Sequence, residues 1–253
     1  MTESATGKPL QRTPLYDRHR ALGSKLEDWS GMGTAWTYAK DIYEEHIAVR
    51  TKAGLMDVSG LKKVHLVGPH AIAVLDYITT RDINKVYPGK SVYACMLDDR
   101  GMFTDDCIVY RTGPNSFMLV HGSGSAHEQI VKAAMGRNVA VLFDDDLHDL
   151  SLQGPLAVDF LAQHVPGIRD LKYFHHMQTT LFGAPVMISR TGYTGERGYE
   201  IFVRGQDAPM VWDTIHGRDP TQRAVEEWGR DRLRARRAGR GAAGRLGHRA
   251  AHQ

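Results

Sequence analysis

Alternating and helically spaced apolar residues divide the chain into short elements before any chemistry is considered. Residues 37–53 set Tyr38, Ile42, His46 or Ile47 and Val49 on one side, with Gly54 in the stop position, and read as a helix. A strand at Lys63–Val67 leads through Gly68-Pro69 into a helix over Ala71–Ile78. Ser91–Leu97 and Met102–Tyr110 read as two strands around Asp98-Asp99-Arg100-Gly101, a hairpin signal. Ser116–His121 is a further strand, Ala126–Met135 a helix, Val139–Phe143 and Asp149–Leu152 strands, and Ala157–His164 a helix. Leu181–Arg190 and Tyr199–Arg204 complete the strands, and Ala208–Ile215 is the last helix.

Part of this pattern occurs twice. Val64–Leu75 (VHLVGPHAIAVL) matches Leu150–Leu161 (LSLQGPLAVDFL) at a spacing of 86 residues, with Gly68/Gly154 and Pro69/Pro155 in register. The unit is an alternating strand, a glycine turn and a proline in the first helical turn, where its missing N–H costs nothing. Two copies predict an α+β fold of two related units of about 90 residues, each an antiparallel sheet with helices on one face.

A chain of 253 residues can build a core without disulfide or metal staples. Its apolar fraction of 42% is that of an ordinary globular protein, and no run approaches the ~20 apolar residues of a membrane span. The start, Met1–Lys8, has no hydrophobic segment behind a basic one and is not expected to be a secretory signal. Cys95 and Cys107 alone make neither a disulfide framework nor a zinc site. A soluble, cytoplasmic protein is the expectation.

Charge is unevenly distributed. Residues 216–253 hold ten arginines and four acids, a net +6, so a formal total of +3 leaves the preceding body at −3. That body gives no reason to expect a nucleic-acid surface. From Arg232 the tail is almost wholly Arg, Ala, Gly, Leu and His. It reads as a basic arm for nucleic acid or an anionic surface, as a disordered terminus, or as a departure from the original reading frame near Ile215. The abruptness favours the last, so 216–253 is expected to be non-native or disordered and function is sought in residues 13–215.

Few general motifs survive inspection. Gly89-Lys90-Ser91 lacks the earlier glycine of a phosphate loop (Asn84) and precedes a strand. The thirteen histidines have no i,i+4 or cysteine partners at metal-binding spacing, and no nucleophile elbow or dinucleotide fingerprint is present. Two features remain. Asp105-Asp106 interrupts the strand MFTDDCIVY, where a charge is costly unless paired, and alternation sends the two carboxylates to opposite faces. RTGYTGERGYEI (Arg190–Ile201) packs three glycines into seven residues and ends with Glu200 between Tyr199 and Ile201. An edge-strand charge and a glycine-rich hairpin are the plain alternatives.

Thr13–Asp17, His46–Ser59, Leu97–Asp106, Leu152–Pro155 and Arg190–Ile201 follow the same order as in the glycine-cleavage T-protein family, and over 13–215 the chain resembles that family. The resemblance implies two interleaved α+β units, the second roughly 56–149, without the family's C-terminal β-barrel. It implies a tetrahydrofolate-dependent aminomethyltransferase or a demethylase relative. In the T-protein, an aminomethyl group on a carrier's lipoyl sulfur passes to tetrahydrofolate, releasing ammonia. The family's catalytic aspartate falls on Asp106, its pterin-gripping glutamate on Glu200 and its folate-contacting tyrosines on Tyr193 and Tyr93, with Asp105 beside them as a further cofactor contact. The chemistry is coherent. A buried carboxylate can take two pterin N–H groups, an aromatic ring supplies a wall, and a second carboxylate can accept a proton near the reacting amine.

The chain also departs from the family pattern. Gly60-Leu61 replaces a His-Met pair after Asp57-Val58-Ser59, the proline expected after Trp29 is missing, and Gly122 replaces an asparagine. These changes open the donor to a methylated amine, sulfonium or aryl ether instead of a lipoyl carrier protein. A truncated, non-catalytic folate-binding module is the reading of a different class.

Overall fold

A computed structural model describes residues 10–29, 31–39, 41–122 and 126–217. Its elements are α1 (Tyr16–Ala21), β1 (Glu27–Trp29), β2 (Met32–Thr34), α2 (Ile42–Thr51), β3 (Gly54–Asp57), β4 (Lys62–Val67), α3 (Ala71–Ile78), β5 (Ser91–Leu97) and β6 (Phe103–Gly113). They continue with β7 (Ser116–His121), α4 (Ala126–Ala134), β8 (Ala140–Phe143), β9 (Leu147–Gln153), α5 (Ala157–Leu161), β10 (His176–Leu181), β11 (Ala184–Ser189), β12 (Gly198–Arg204) and α6 (Ala208–His216). The expectation for the basic tail lies outside the described residues from 218 onward.

Two five-stranded antiparallel sheets dominate, ordered β5-β6-β7-β4-β8 and β10-β11-β12-β9-β3. Val64, Leu66, Val109, Phe117 and Leu119 face α3 and α4 on one side. Leu150, Leu152, Ile188, Tyr199 and Ile201 face α5 and α6 on the other. The remaining faces meet through Tyr110, Met118, Val120, Met187 and Phe202. The layers therefore run helices, sheet, sheet, helices, and the inner pair of faces carries the polar chemistry.

The 86-residue repeat is a structural one. β3 precedes β4 in the chain yet pairs with β9, from Gly54↔Gln153 to Asp57↔Leu150. β8 precedes β9 yet pairs with β4, from Ala140↔Val67 to Phe143↔Val64. A shift of 86 converts one ladder into the other: 54 to 140 and 57 to 143 on the exchanged strands, 153 to 67 and 150 to 64 on their partners. Each half thus lends its leading strand to the other. The two repeat glycines serve the same turn, at φ +145 for Gly68 and +124 for Gly154. A Cβ there would lie 2.6 Å from the Asn138 or Lys52 carbonyl oxygen, so glycine is required by close backbone approach.

Several elements differ from their sequence reading. The helix expected over 37–53 shrinks to α2, because the Asp41 side chain caps it by accepting from the Tyr43 N–H at 2.8 Å. None of its residues is buried, so its apolar stripe is not turned to a core. The strand expected over Leu181–Arg190 is broken by a two-residue turn, Phe182-Gly183, with φ +52 and +86. Such a turn matches the twist of a hairpin, here β10–β11.

Candidate functional site

Strand β6 distributes its residues by alternation. Cys107 and Val109 enter the α3/α4 core, while Ile108 and Tyr110 join the cluster between the sheets. Asp105 goes with the first set and Asp106 with the second. Asp106 lies beside Cys95 on β5, and Tyr93, two residues along, donates its hydroxyl to Asp106 Oδ2 at 2.8 Å. That bond to an anion pushes the Tyr93 phenol up to about 12, so it remains a donor at neutral pH. Tyr93 is 41% exposed, which places the pair at the open rim of the inter-sheet space.

Glu200 stands on the opposing inner face, in register with Ser151 and Ser189. Its Oε2 accepts from the Thr191 hydroxyl and from the Tyr110 hydroxyl at 3.2 Å, whereas Oε1 has no partner among the described residues. Burial raises the Glu200 carboxyl above its ordinary value, opposed by the two hydroxyl bonds. Tyr110 thereby joins the sheets: it rises from the strand of Asp106 and touches Glu200.

Asp105 does not join this group. It pairs with His121 Nδ1 at 3.1 Å and accepts the Asp106 N–H at 2.9 Å, so it fixes the backbone that carries Asp106. Tyr193 is also set apart, its side chain 100% exposed on the β11–β12 loop. The structure therefore brings Asp106 to Tyr93 and links β6 to Glu200, and leaves Asp105 and Tyr193 outside that arrangement.

The glycine-rich segment is shaped by a residue the sequence reading left without a role. The Gln153 amide, fully buried, donates to Ser151 Oγ and the Thr191 carbonyl, each at 3.1 Å, and accepts from the Thr194 hydroxyl at 3.0 Å. A Cβ on Gly192 or on Gly198 would lie 2.2 Å from its amide oxygen. The glycines thus make room for one buried amide that holds Thr191, and Thr191 holds Glu200.

A second polar set was also missed. Asp149 shares the inner face of β9 with Ser151, is fully buried, and neither carboxylate oxygen has a hydrogen-bond partner among the described residues. Burial and the charge of Glu200 push its carboxyl well above the ordinary range. Lys63 on the opposing face donates to the Ser59 and Leu61 carbonyls at 2.8 and 2.7 Å, and burial pulls its amine down to about 8. A buried Lys and a buried Asp are both departures from their usual surface preference, but each falls in the polar phase of a regular alternation, in KKVHLV and LHDLSLQ, and so reads as solvent-facing although the second sheet covers that face.

The departures from the family pattern have local causes. A Cβ at Gly60 would lie 2.5 Å from the Trp29 ring, so the indole occupies the space a histidine would need. Trp29 is itself held against Trp36, ring centroids 4.9 Å apart. A Cβ at Gly122 would lie 2.9 Å from Asp105 Oδ1.

Fold and site define the class: two antiparallel sheets packed face to face, a carboxylate on each inner face, and a glycine-rich loop presenting one of them. The family model described as the GCVT N-terminal domain matches residues 15–241, running beyond residue 215. The heme-dependent oxidative N-demethylase gamma subunit of Ectopseudomonas mendocina is 75% identical over 201 residues, covering 79% of this chain and 54% of that protein. The aminomethyltransferase of Streptomyces coelicolor is 36% identical over 213 residues, covering 82% and 57%. Among solved structures, the glycine cleavage system aminomethyltransferase T of Bartonella henselae superposes with a TM-score of 0.75 at 31% identity, covering 85% of this chain and 59% of that one. The chain belongs to the GCVT family and spans between half and three fifths of the length of these relatives. Among the described residues no helix is long and apolar enough to cross a membrane.

Proposed function

We propose that this chain is the folate-binding part of a tetrahydrofolate-dependent one-carbon transferase. The observation that carries the reading is Glu200: a buried carboxylate with Oε2 capped by two hydroxyls and Oε1 left for a donor. Such a half-satisfied carboxylate fits a pterin N–H donated to Oε1, so the residues present suit the cofactor. Tetrahydrofolate, when bound, supplies the amine nitrogens that accept the one-carbon unit. Glu200 orients it, Tyr110 and Thr191 hold Glu200, and Asp106 accepts a proton or faces a developing cation while Tyr93 fixes its carboxylate.

The donor we favour is a small methylated amine rather than an aminomethyl group on a lipoyl carrier protein. The likeness to a protein named as an oxidative N-demethylase subunit, at 75% identity, supports this, as does a family histidine replaced by Gly60 beneath Trp29. Oxidation of an N-methyl group to the level of formaldehyde gives up two electrons and consumes water to leave the demethylated amine, and the oxidant would be a redox group of a partner subunit. Glu200 would hold the tetrahydrofolate whose two nitrogens take up the formaldehyde-level unit with loss of water. The same likeness supports protein partners, since that relative is named as a subunit.

The test is a calorimetric titration of the chain with tetrahydrofolate beside Glu200→Gln. Binding should weaken by about 1.5–3 kcal/mol in the variant. A folded chain that does not bind, or a variant that binds as tightly as the parent, overturns the pterin assignment. Product analysis separates the donors: methylene-folate without ammonia supports the methylated amine, and stoichiometric ammonia supports the aminomethyl group. Folate binding with no turnover in either assay supports the non-catalytic module.

A further inference from the structure

At the end of the β9–β12 sheet, behind the glycine-rich loop, lies a cavity of about 190 Å³ lined by Tyr173, Arg190, Gly195, Glu196 and Arg197 among others. Both arginines are half-buried, and neither meets a carboxylate among the described residues. Arg190 Nη1 donates to the Leu171 carbonyl at 3.1 Å, which leaves its Nε and Nη2 donors unused. Arg197 uses Nε and Nη2 on the Tyr199 hydroxyl at 3.3 and 3.2 Å, and Nη2 also on the Arg169 carbonyl at 2.9 Å, which leaves Nη1. The single acid in the lining, Glu196, is already taken by Arg50 Nη1 at 3.0 Å. Two arginines without a carboxylate partner among the described residues therefore line one concave space, together with Gly192, Gly195 and Gly198.

Two like charges held together in a partly desolvated pocket repel unless an anion sits between them, and guanidinium donors match the paired oxygens of a carboxylate or phosphate. We propose that this cavity is an oxyanion site, for a carboxylate-bearing or phosphate-bearing small molecule. It is distinct from the inter-sheet site, because Arg197 reaches Tyr199, whose ring lies in the α5/α6 core on the sheet face opposite Glu200. Thr191 lines the cavity and also bonds Glu200, so the two sites share one residue as a wall.

The test is a calorimetric titration of the 253-residue chain with inorganic phosphate and, separately, glutarate, at constant ionic strength. Saturable one-to-one binding of at least one anion is expected, weakened tenfold or more in Arg190→Gln. Gly195→Asp places a carboxylate at the rim, its Cβ 3.8 Å from Arg50 Nη1 and clear of Arg190 and Arg197, at a backbone φ of +76 that Asp tolerates better than most residues, and should also weaken binding. This second variant keeps the test decisive should Arg190→Gln fail to fold. Arg169→Gln, which removes only the ion pair with Asp159, should bind as the parent does. Tighter phosphate binding assigns a phosphate-bearing ligand, and tighter glutarate binding a carboxylate-bearing one. No saturable binding of either, or binding that persists in folded Arg190→Gln or in Gly195→Asp, overturns the proposal.

Discussion

Tyr93 and Asp106 lie two residues out of register on neighbouring strands and are joined by a 2.8 Å hydroxyl–carboxylate bond at the rim of the inter-sheet space. The bond engages Asp106 Oδ2 and leaves Oδ1, the oxygen that would face the reacting amine under the proposed function. Asp106→Asn is expected to lower one-carbon transfer to folate by about 10²–10⁴-fold, the range of general acid–base groups, with folate affinity little changed. Tyr93→Phe should cost about 1 kcal/mol, roughly fivefold in rate, since it removes one hydrogen bond and no charge. Steady-state rates and calorimetric affinities measured on both variants check this, and an Asp106→Asn protein at parental rate would remove Asp106 from the mechanism.

Gly198 and Gln153 test what shapes the glycine-rich loop. A methyl group at Gly198 would lie 2.2 Å from the Gln153 amide oxygen, so Gly198→Ala should destabilise the fold by about 1–3 kcal/mol through overpacking. In a Gln153→Ala background the same change should cost much less, because the amide it collides with is gone. A double-mutant cycle by urea unfolding reads the coupling directly. Additive effects would mean the amide is not what excludes the side chain.

How much of this was legible in the sequence depends on whether a residue broke a rule. Asp106 and Glu200 stood out because carboxylates in apolar strands are costly. The 86-residue repeat stood out because a glycine and a proline recur at fixed offsets, and it extends to the exchanged pairing of β3 and β8. The exchange itself was hidden, since four-residue strands such as Gly54–Asp57 carry too little alternation to name a partner. β10, with Gln178, Thr179 and Thr180 at its centre, is a polar edge strand with no apolar signal. Tyr110 and Thr191 were hidden for another reason: hydroxyl residues are ordinary in strands and turns, and only their convergence on Glu200 gives them a role. Asp105 carried the same strand signal as Asp106, and alternation alone does not say which of the two faces the inter-sheet space; it pairs with His121. Tyr193 was placed by resemblance alone, and it points to solvent.

Trp29 occupies the space above Gly60, and this makes the family's histidine a test of local packing. Gly60→His would drive a Cβ to 2.5 Å from the indole, so Trp29 must leave its contact with Trp36. The expected outcome is a loss of about 1–3 kcal/mol and a shift of tryptophan fluorescence toward that of exposed indole. The double variant Trp29→Ala/Gly60→His should recover part of the loss. Unchanged fluorescence in folded Gly60→His would show that the indole does not hold the position.

His176 is buried against Tyr110, ring centroids 5.6 Å apart, and its Nδ1 has no partner among the described residues. Burial lowers its pKa from 6.5 to about 4, partly offset by a hydrogen bond to the Arg111 backbone. The sign follows from proton counts: between pH 6.5 and 4 the unfolded chain binds a proton on this residue that the folded chain refuses. Stability is therefore lost as pH falls through that window, by up to about 3 kcal/mol from this residue, and levels off below it. His121 and His148 are lowered by burial too and act in the same direction, so the comparison with a variant isolates His176. His176→Gln keeps an N–H for the Arg111 carbonyl but cannot take up the proton. Urea unfolding at pH 7, 6, 5 and 4.5 should give a shallower decline for the variant than for the parent. Parallel curves would mean that His176 is protonated in the folded chain as readily as in the unfolded one, and that the inner face near Tyr110 is wetter than its packing implies.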